Sequence, residues 1–191
     1  MFYKIAHSLL NAYLHICFRI KIFGREHIPR TGGLVFCSNR ASMMDPIILA
    51  MVTKRQVYYI SKKELFENRF IAFVLRGLGA FPVDRGGADM AAFKMAVDLL
   101  KDGRIVGVFA QGARFKSLDA KDAKAGAALF ALKSGAEIIP VAINTTYKFF
   151  SKITVNIGPA VDIAAYRDKK IKTEILNEIT DKIIAEIGGL M

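Results

Sequence analysis

Arg40 and Asp45 carry the most informative spacing in this chain, within the run Ser38-Asn39-Arg40-Ala41-Ser42-Met43-Met44-Asp45-Pro46. The run follows a short apolar stretch, Leu34-Val35-Phe36-Cys37-Ser38, which reads as a strand buried on both faces. A carboxylate just past the end of such a strand sits where open α/β sheets place their sites. There it can orient a base or accept hydrogen bonds, whereas a guanidinium stays protonated and cannot act as a base. A second set of charged residues, Arg85, Arg114 and Lys124, follows or flanks other predicted strand ends. By position alone these three read as solvated cations on a basic protein.

The blocks around these residues resemble those of the glycerolipid acyltransferases. Residues 38–46 are similar to the family's Asn-His-x-Ser-x-x-Asp block, with Arg40 at the position of the His. Phe81-Pro82-Val83-Asp84-Arg85 resembles the second block, which ends in a phosphate-binding Arg. Val108-Phe109-Ala110-Gln111-Gly112-Ala113-Arg114 resembles the third, usually Phe-Pro-Glu-Gly-Thr-Arg. Ile138-Ile139-Pro140-Val141-Ala142-Ile143 resembles the fourth, and Lys124-Ala125-Gly126 matches a Lys-x-Gly found between the third and fourth. Order and spacing fit a lysophosphatidic acid acyltransferase domain of the PlsC type over roughly residues 20 to 160.

The resemblance implies transfer of an acyl chain from acyl-CoA or acyl-carrier protein to the hydroxyl of a lysophospholipid, in phospholipid biosynthesis. It implies a His general base oriented by the Asp, with no covalent intermediate. Asp45 is then the remnant of a catalytic pair, with Arg40 in place of its His. Arg85, Arg114 and Lys124 become phosphate contacts, through the bidentate fork that Arg offers a nearly doubly charged phosphate. Gln111 and Gly112 become the lining of the acceptor site. Gln111 stands where Glu is usual, Ala110 where Pro is, and Ala113 where Thr is. Loss of a general base costs about 10² to 10⁴ in rate, so the expectation is an impaired transferase. The alternative is a non-catalytic lipid-phosphate-binding protein on the same fold. His7, His15 and His27 lie outside the blocks, and none has a carboxylate partner at a recognisable spacing.

These residues need a scaffold, and the rest of the chain reads as one. Its 191 residues suffice for one domain with a real core. Strand-like runs at 34–38, 57–60, 105–109, 138–144 and 153–157 alternate with helical stretches at 63–75, 89–101, 120–133 and 171–187, which predicts an α/β domain with a mostly parallel central sheet flanked by helices. A short helix over 46–53 is expected, with Asp45 as its cap and Pro46 in its first turn.

Residues 2–20 predict an amphipathic helix, with Lys4, Ser8, Asn11, His15 and Arg19 on one face and a wide apolar remainder. The expected organisation is a membrane-interface helix over 1–22 and an acyltransferase-fold domain over 23–191. Net charge is +11 and 53% of residues are hydrophobic. The pI is about 9.7 and the mean hydropathy +0.30. That balance favours an anionic partner and leaves apolar surface for a core or an interface. The expected location is the cytoplasmic face of a membrane, peripheral or monotopic, since no run approaches the ~18 apolar residues of a spanning helix. No secretory signal is apparent, and Cys17 and Cys37 suggest reduced thiols rather than a disulfide framework. No phosphate-loop, nucleophile-elbow or metal-ligand motif is present, so no cofactor or metal is expected beyond the acyl donor as co-substrate. The basic charge comes without a nucleic-acid-binding motif, so nucleic acid is not an expected partner.

Overall fold

The computed structural model describes residues 2–40, 42–84, 89–110, 125–148 and 150–191, leaving aside the side chains of residues 2 and 4–6. Its centre is a seven-stranded sheet in the order β1-β7-β6-β2-β5-β3-β4. The strands are β1 (Arg19–Phe23), β2 (Leu34–Ser38), β3 (Val57–Lys62), β4 (Ala80–Val83), β5 (Ile105–Phe109), β6 (Glu137–Asn144) and β7 (Lys152–Ile157). β4, β3, β5, β2 and β6 run parallel to one another; β7 is antiparallel to β6, and β1 pairs in parallel with β7. The helices are α1 (Phe2–Cys17), α2 (Asp45–Ala50), α3 (Arg69–Gly77), α4 (Met90–Lys101), α5 (Gly126–Ser134) and α6 (Thr173–Gly189).

β2 is the central strand, and every residue in it is buried. Its side chains alternate between the two faces of the sheet, as a strand's period of two requires. Leu34 and Phe36 enter a core with Leu14 of α1 and Ile48 and Leu49 of α2. Val35 and Cys37 enter the opposite core with Ala96 and Leu100 of α4, Ala128 and Ala131 of α5, and Ile179 and Ile183 of α6. Helices on both faces of a parallel sheet explain the unbroken apolar run that marked this strand in the sequence.

The expected fold class is therefore the observed one, with local corrections. The N-terminal helix ends at Cys17, not near residue 20, and Arg19–Phe23 is a strand. Arg19-Ile20-Lys21-Ile22 alternates polar and apolar residues, a strand signal that a helical reading of 2–20 absorbs. The segment expected as one helix over 63–75 divides into a 3-10 turn at Lys63–Phe66 and α3, separated by the N-cap Asn68, whose carboxamide oxygen accepts from the Phe70 and Ile71 N–H groups. The helix cap before Pro46 is Met44, not Asp45; Asp45 is the first helical residue, and its carboxylate points back into the preceding loop. Both cysteines are free and buried. Among the described residues no helix is long and apolar enough to cross a membrane.

Candidate functional site

The parallel strands deliver their following loops to one end of the sheet, and the residues after β2 gather there. Ser38 and Asn39 are buried as the chain leaves the strand. The Asn39 carboxamide makes two reciprocal bonds to the last turn of the neighbouring strand: its Nδ2 donates to the Ile143 carbonyl at 3.0 Å, and its Oδ1 accepts from the Ile143 N–H at 2.8 Å. On the other side, the Ser38 carbonyl accepts from the Ala110 N–H at 2.9 Å, just past the end of β5. The first block is thus sewn to the strands that carry the third and fourth.

Asp45 is 1% exposed. Its Oδ2 accepts from the Ser42 N–H at 2.6 Å, and its Oδ1 accepts from the Tyr147 hydroxyl. The Ser42 hydroxyl in turn accepts from the Met44 N–H at 3.2 Å. A buried carboxylate is tolerated only with such donors. Burial, and then the bond to the Asp45 carboxylate, push the Tyr147 phenol well above its ordinary range, so it stays protonated and donates. Tyr147 packs edge-on against Phe18, with ring centroids 6.4 Å apart, at the start of the sheet's outer pair of strands.

Arg40 is half-buried, and its guanidinium carbon lies 4.8 Å from the centre of the Phe109 ring at the end of β5. A cation held on an aromatic face is stabilised by about 0.5–2 kcal/mol, the larger value as the pair is desolvated. The position that the resemblance gives to a base therefore carries a cation anchored to the third block's strand.

Asp84 has partners on two other segments. Its carboxylate pairs with Lys63, and its N–H donates at 2.8 Å to Asp89, which caps α4. This is a structural role for Asp84 at the exit of β4. Arg85, Gln111, Gly112, Arg114 and Lys124 lie outside the described residues. The strands that precede two of these segments are placed: β5 is next to β2, with Phe109 in register with Ser38, and β4 is the edge strand three positions from β2. At ~4.8 Å per strand, β4 lies about 14 Å from β2 across the sheet.

The three histidines are held elsewhere by backbone carbonyls: His7 to Ala50 at 3.2 Å, His15 to Asn11 at 2.8 Å, and His27 to Ile157 at 2.8 Å. Tyr147 is the site residue that the sequence motifs do not contain. Its only local signal is an aromatic residue shortly after the strand of the fourth block, following Thr145 and Thr146.

A mostly parallel α/β sheet with a buried Asn and Asp past the end of its central strand is an open α/β protein with polar groups gathered where such sheets bind their ligands. The Acyltransferase family model matches residues 19–144, and the chain belongs to that family. It is 33% identical over 141 residues to the 1-acyl-sn-glycerol-3-phosphate acyltransferase of Bacillus subtilis, covering 73% of this chain and 70% of that protein. It is 26% identical over 180 residues to the enzyme of the same name from Borreliella burgdorferi, covering 88% of this chain and 72% of that protein. Its fold is similar to the crystal structure of the 1-acyl-sn-glycerophosphate acyltransferase PlsC from Thermotoga maritima, with a TM-score of 0.68 and 23% identity, covering 99% of this chain and 75% of that one.

Proposed function

We propose that this chain is a lysophosphatidic-acid acyltransferase whose turnover is impaired by Arg40. The acceptor is a 1-acylglycerol phosphate, and the donor is acyl-CoA or acyl-carrier protein. Arg85, Arg114 and Lys124 hold the acceptor phosphate, and Gln111 and Gly112 line the site of its free hydroxyl. The reaction takes place against an anionic membrane surface on the cytoplasmic side, with the protein peripheral or monotopic. The observation that carries this reading is Asp45. It remains buried and fully placed at the end of β2, within a chain one-third identical to an enzyme of that name.

In acyl transfer the acceptor hydroxyl must lose its proton as it attacks the thioester carbonyl, and the oxyanion that forms needs donors. Asp45 supplies an orienting carboxylate for a base. Arg40 can supply positive charge but cannot take the proton. The Arg40–Phe109 stack favours the second reading, a lipid-phosphate-binding protein without turnover, because it gives the cation a settled place. Two measurements separate the readings: acyl transfer from acyl-CoA to lysophosphatidic acid by the unaltered chain and by Arg40→His, and lysophosphatidic acid binding by the unaltered chain and by Arg114→Ala. Impaired catalysis predicts turnover near background that rises with Arg40→His. Binding of lysophosphatidic acid that weakens about tenfold or more in Arg114→Ala, with no transfer by either chain, establishes the binding protein instead. No binding and no transfer sinks both.

A further inference from the structure

We infer that Tyr147 competes for the orienting carboxylate of this site, occupying the Asp45 oxygen that an imidazole at position 40 has to share. The inference rests on the acyl-transfer reading above, and it names a residue outside every motif block.

The geometry is specific. The Tyr147 hydroxyl donates to Asp45 Oδ1 across 102 residues of sequence, while Oδ2 is occupied by the Ser42 N–H. Asp45 is 1% exposed, so a ring approaching its carboxylate must displace a neighbour rather than solvent. Ser42 belongs to the same short loop as Asp45, and its N–H is fixed by that loop's backbone. Tyr147 reaches in from the segment after β6 and is, of these two neighbours, the one that can yield.

The backbone at Tyr147 supports a dedicated placement. Its φ is +53°, in the left-handed region that a bulky side chain avoids. Its N–H donates to the Thr145 hydroxyl at 3.0 Å, which holds the turn. The ring is locked against Phe18 and packs on the core that contains Leu14 and Phe36. A left-handed tyrosine costs roughly 1–2 kcal/mol. Here that turn brings a hydroxyl to Asp45. Two residues of the first block, Asn39 and Asp45, are therefore bound to the end of β6 and its following turn. The Asn39 bond sets the backbone, and the Tyr147 bond sets the carboxylate.

A consequence follows for repair of the site. Placing His at position 40 restores a base, but the carboxylate that should orient it is already committed to Tyr147. The test compares Arg40→His with Arg40→His/Tyr147→Phe. The first readout is the NMR titration of the introduced imidazole, which needs no turnover. Its pKa is expected to rise by about one unit or more in the double variant, because an imidazolium gains a carboxylate partner. The second readout is acyl transfer: kcat is expected to rise about tenfold over Arg40→His at unchanged KM, with the acid limb of the pH profile moved upward. The third is a folding double-mutant cycle of Asp45→Asn and Tyr147→Phe in the otherwise unaltered chain, expected to be non-additive. If Tyr147→Phe alone unfolds, the imidazole titration in Arg40→His/Tyr147→Leu replaces this arm.

An imidazole that titrates identically in both variants overturns the inference, as does a double variant slower than Arg40→His. A shifted titration without transfer by either variant leaves Tyr147 as the competitor for Asp45 and instead overturns the acyl-transfer reading.

Discussion

Asn39 and Ile143 are joined by two hydrogen bonds, Nδ2–H to carbonyl at 3.0 Å and N–H to Oδ1 at 2.8 Å, so that one side chain completes the backbone pairing at the end of β6. The carboxamide imitates a peptide group and extends the sheet by one rung into the site loop. Both Ile143 groups are buried, so removing their partner leaves a donor and an acceptor without compensation. Asn39→Ala should destabilise the chain by about 2–6 kcal/mol, at about 1–3 kcal/mol per orphaned group. Asn39→Asp should lose most of the same energy, because a carboxylate faces the Ile143 carbonyl without a donor. Urea unfolding checks both. An unchanged midpoint for Asn39→Ala means that water replaces the carboxamide.

The sequence disclosed this anchor only as a letter in a motif. Asn39 was visible beside Arg40, but its partner lies 104 residues away, and no local pattern encodes that pairing. The same holds for Tyr147. Propensity and periodicity report neighbours along the chain, whereas the site is made by neighbours across the sheet. β2, β5 and β6 were legible because strands buried on both faces leave unbroken apolar runs. β1 was not, since five alternating residues at a helix end look like the helix's own polar stripe. The candidate phosphate contacts stand out only through the resemblance to the family blocks, because cations on a chain of net charge +11 carry no positional signal of their own.

Cys37 predicts an alkaline limit to stability. Burial in the core beneath α4 and α5 pushes its thiol from 9.0 up to about 12. In the unfolded chain the thiol loses its proton near its ordinary value, while in the folded chain it keeps the proton until about pH 12. Between those values the folded state binds more protons, so stability falls as pH rises, by up to about 1.4 kcal/mol per pH unit for one such group. Below about pH 9 the thiol contributes no slope. Cys37→Ala should flatten the decline between pH 9 and 11, measured as the slope of the unfolding midpoint rather than its level. An identical slope in both chains assigns the decline to other groups.

Tyr59 offers a stabilising substitution. Its ring lies on β3 directly over Gly107 of β5, where an added Cβ would sit 2.3 Å from the ring. The hydroxyl is buried, and among the described residues nothing bonds to it. An unsatisfied buried hydroxyl costs about 1–3 kcal/mol. Tyr59→Phe should therefore raise stability by about 1 kcal/mol or more, and Gly107→Ala should lower it by about 1–3 kcal/mol through overpacking. Thermal unfolding decides the sign of each; a lower midpoint for Tyr59→Phe shows that the hydroxyl is solvated after all.

α1 has two apolar surfaces, and only one of them is used by the fold. Leu14 and Cys17 are buried in the core with α2 and β2, while Leu9, Tyr13 and Ile16 are 67%, 58% and 72% exposed. The exposed three follow the i, i+4, i+7 spacing of one helical stripe. A stripe of this kind on a chain of net charge +11 suits an anionic lipid interface, where apolar side chains enter the acyl boundary and cations meet headgroups. Leu9→Glu/Ile16→Glu should reduce co-sedimentation with phosphatidylglycerol-containing vesicles by about tenfold or more, while far-UV circular dichroism and the unfolding midpoint stay near those of the parent. Binding of the parent should weaken as salt rises, since the Debye length shrinks from ~10 Å at 0.1 M to ~3 Å at 1 M. The apolar part should persist at high salt in the parent and be absent from the double variant. If the charged variant binds as well as the parent at every salt concentration, α1 is a core helix with an idle outer face, and the lipid surface is met elsewhere.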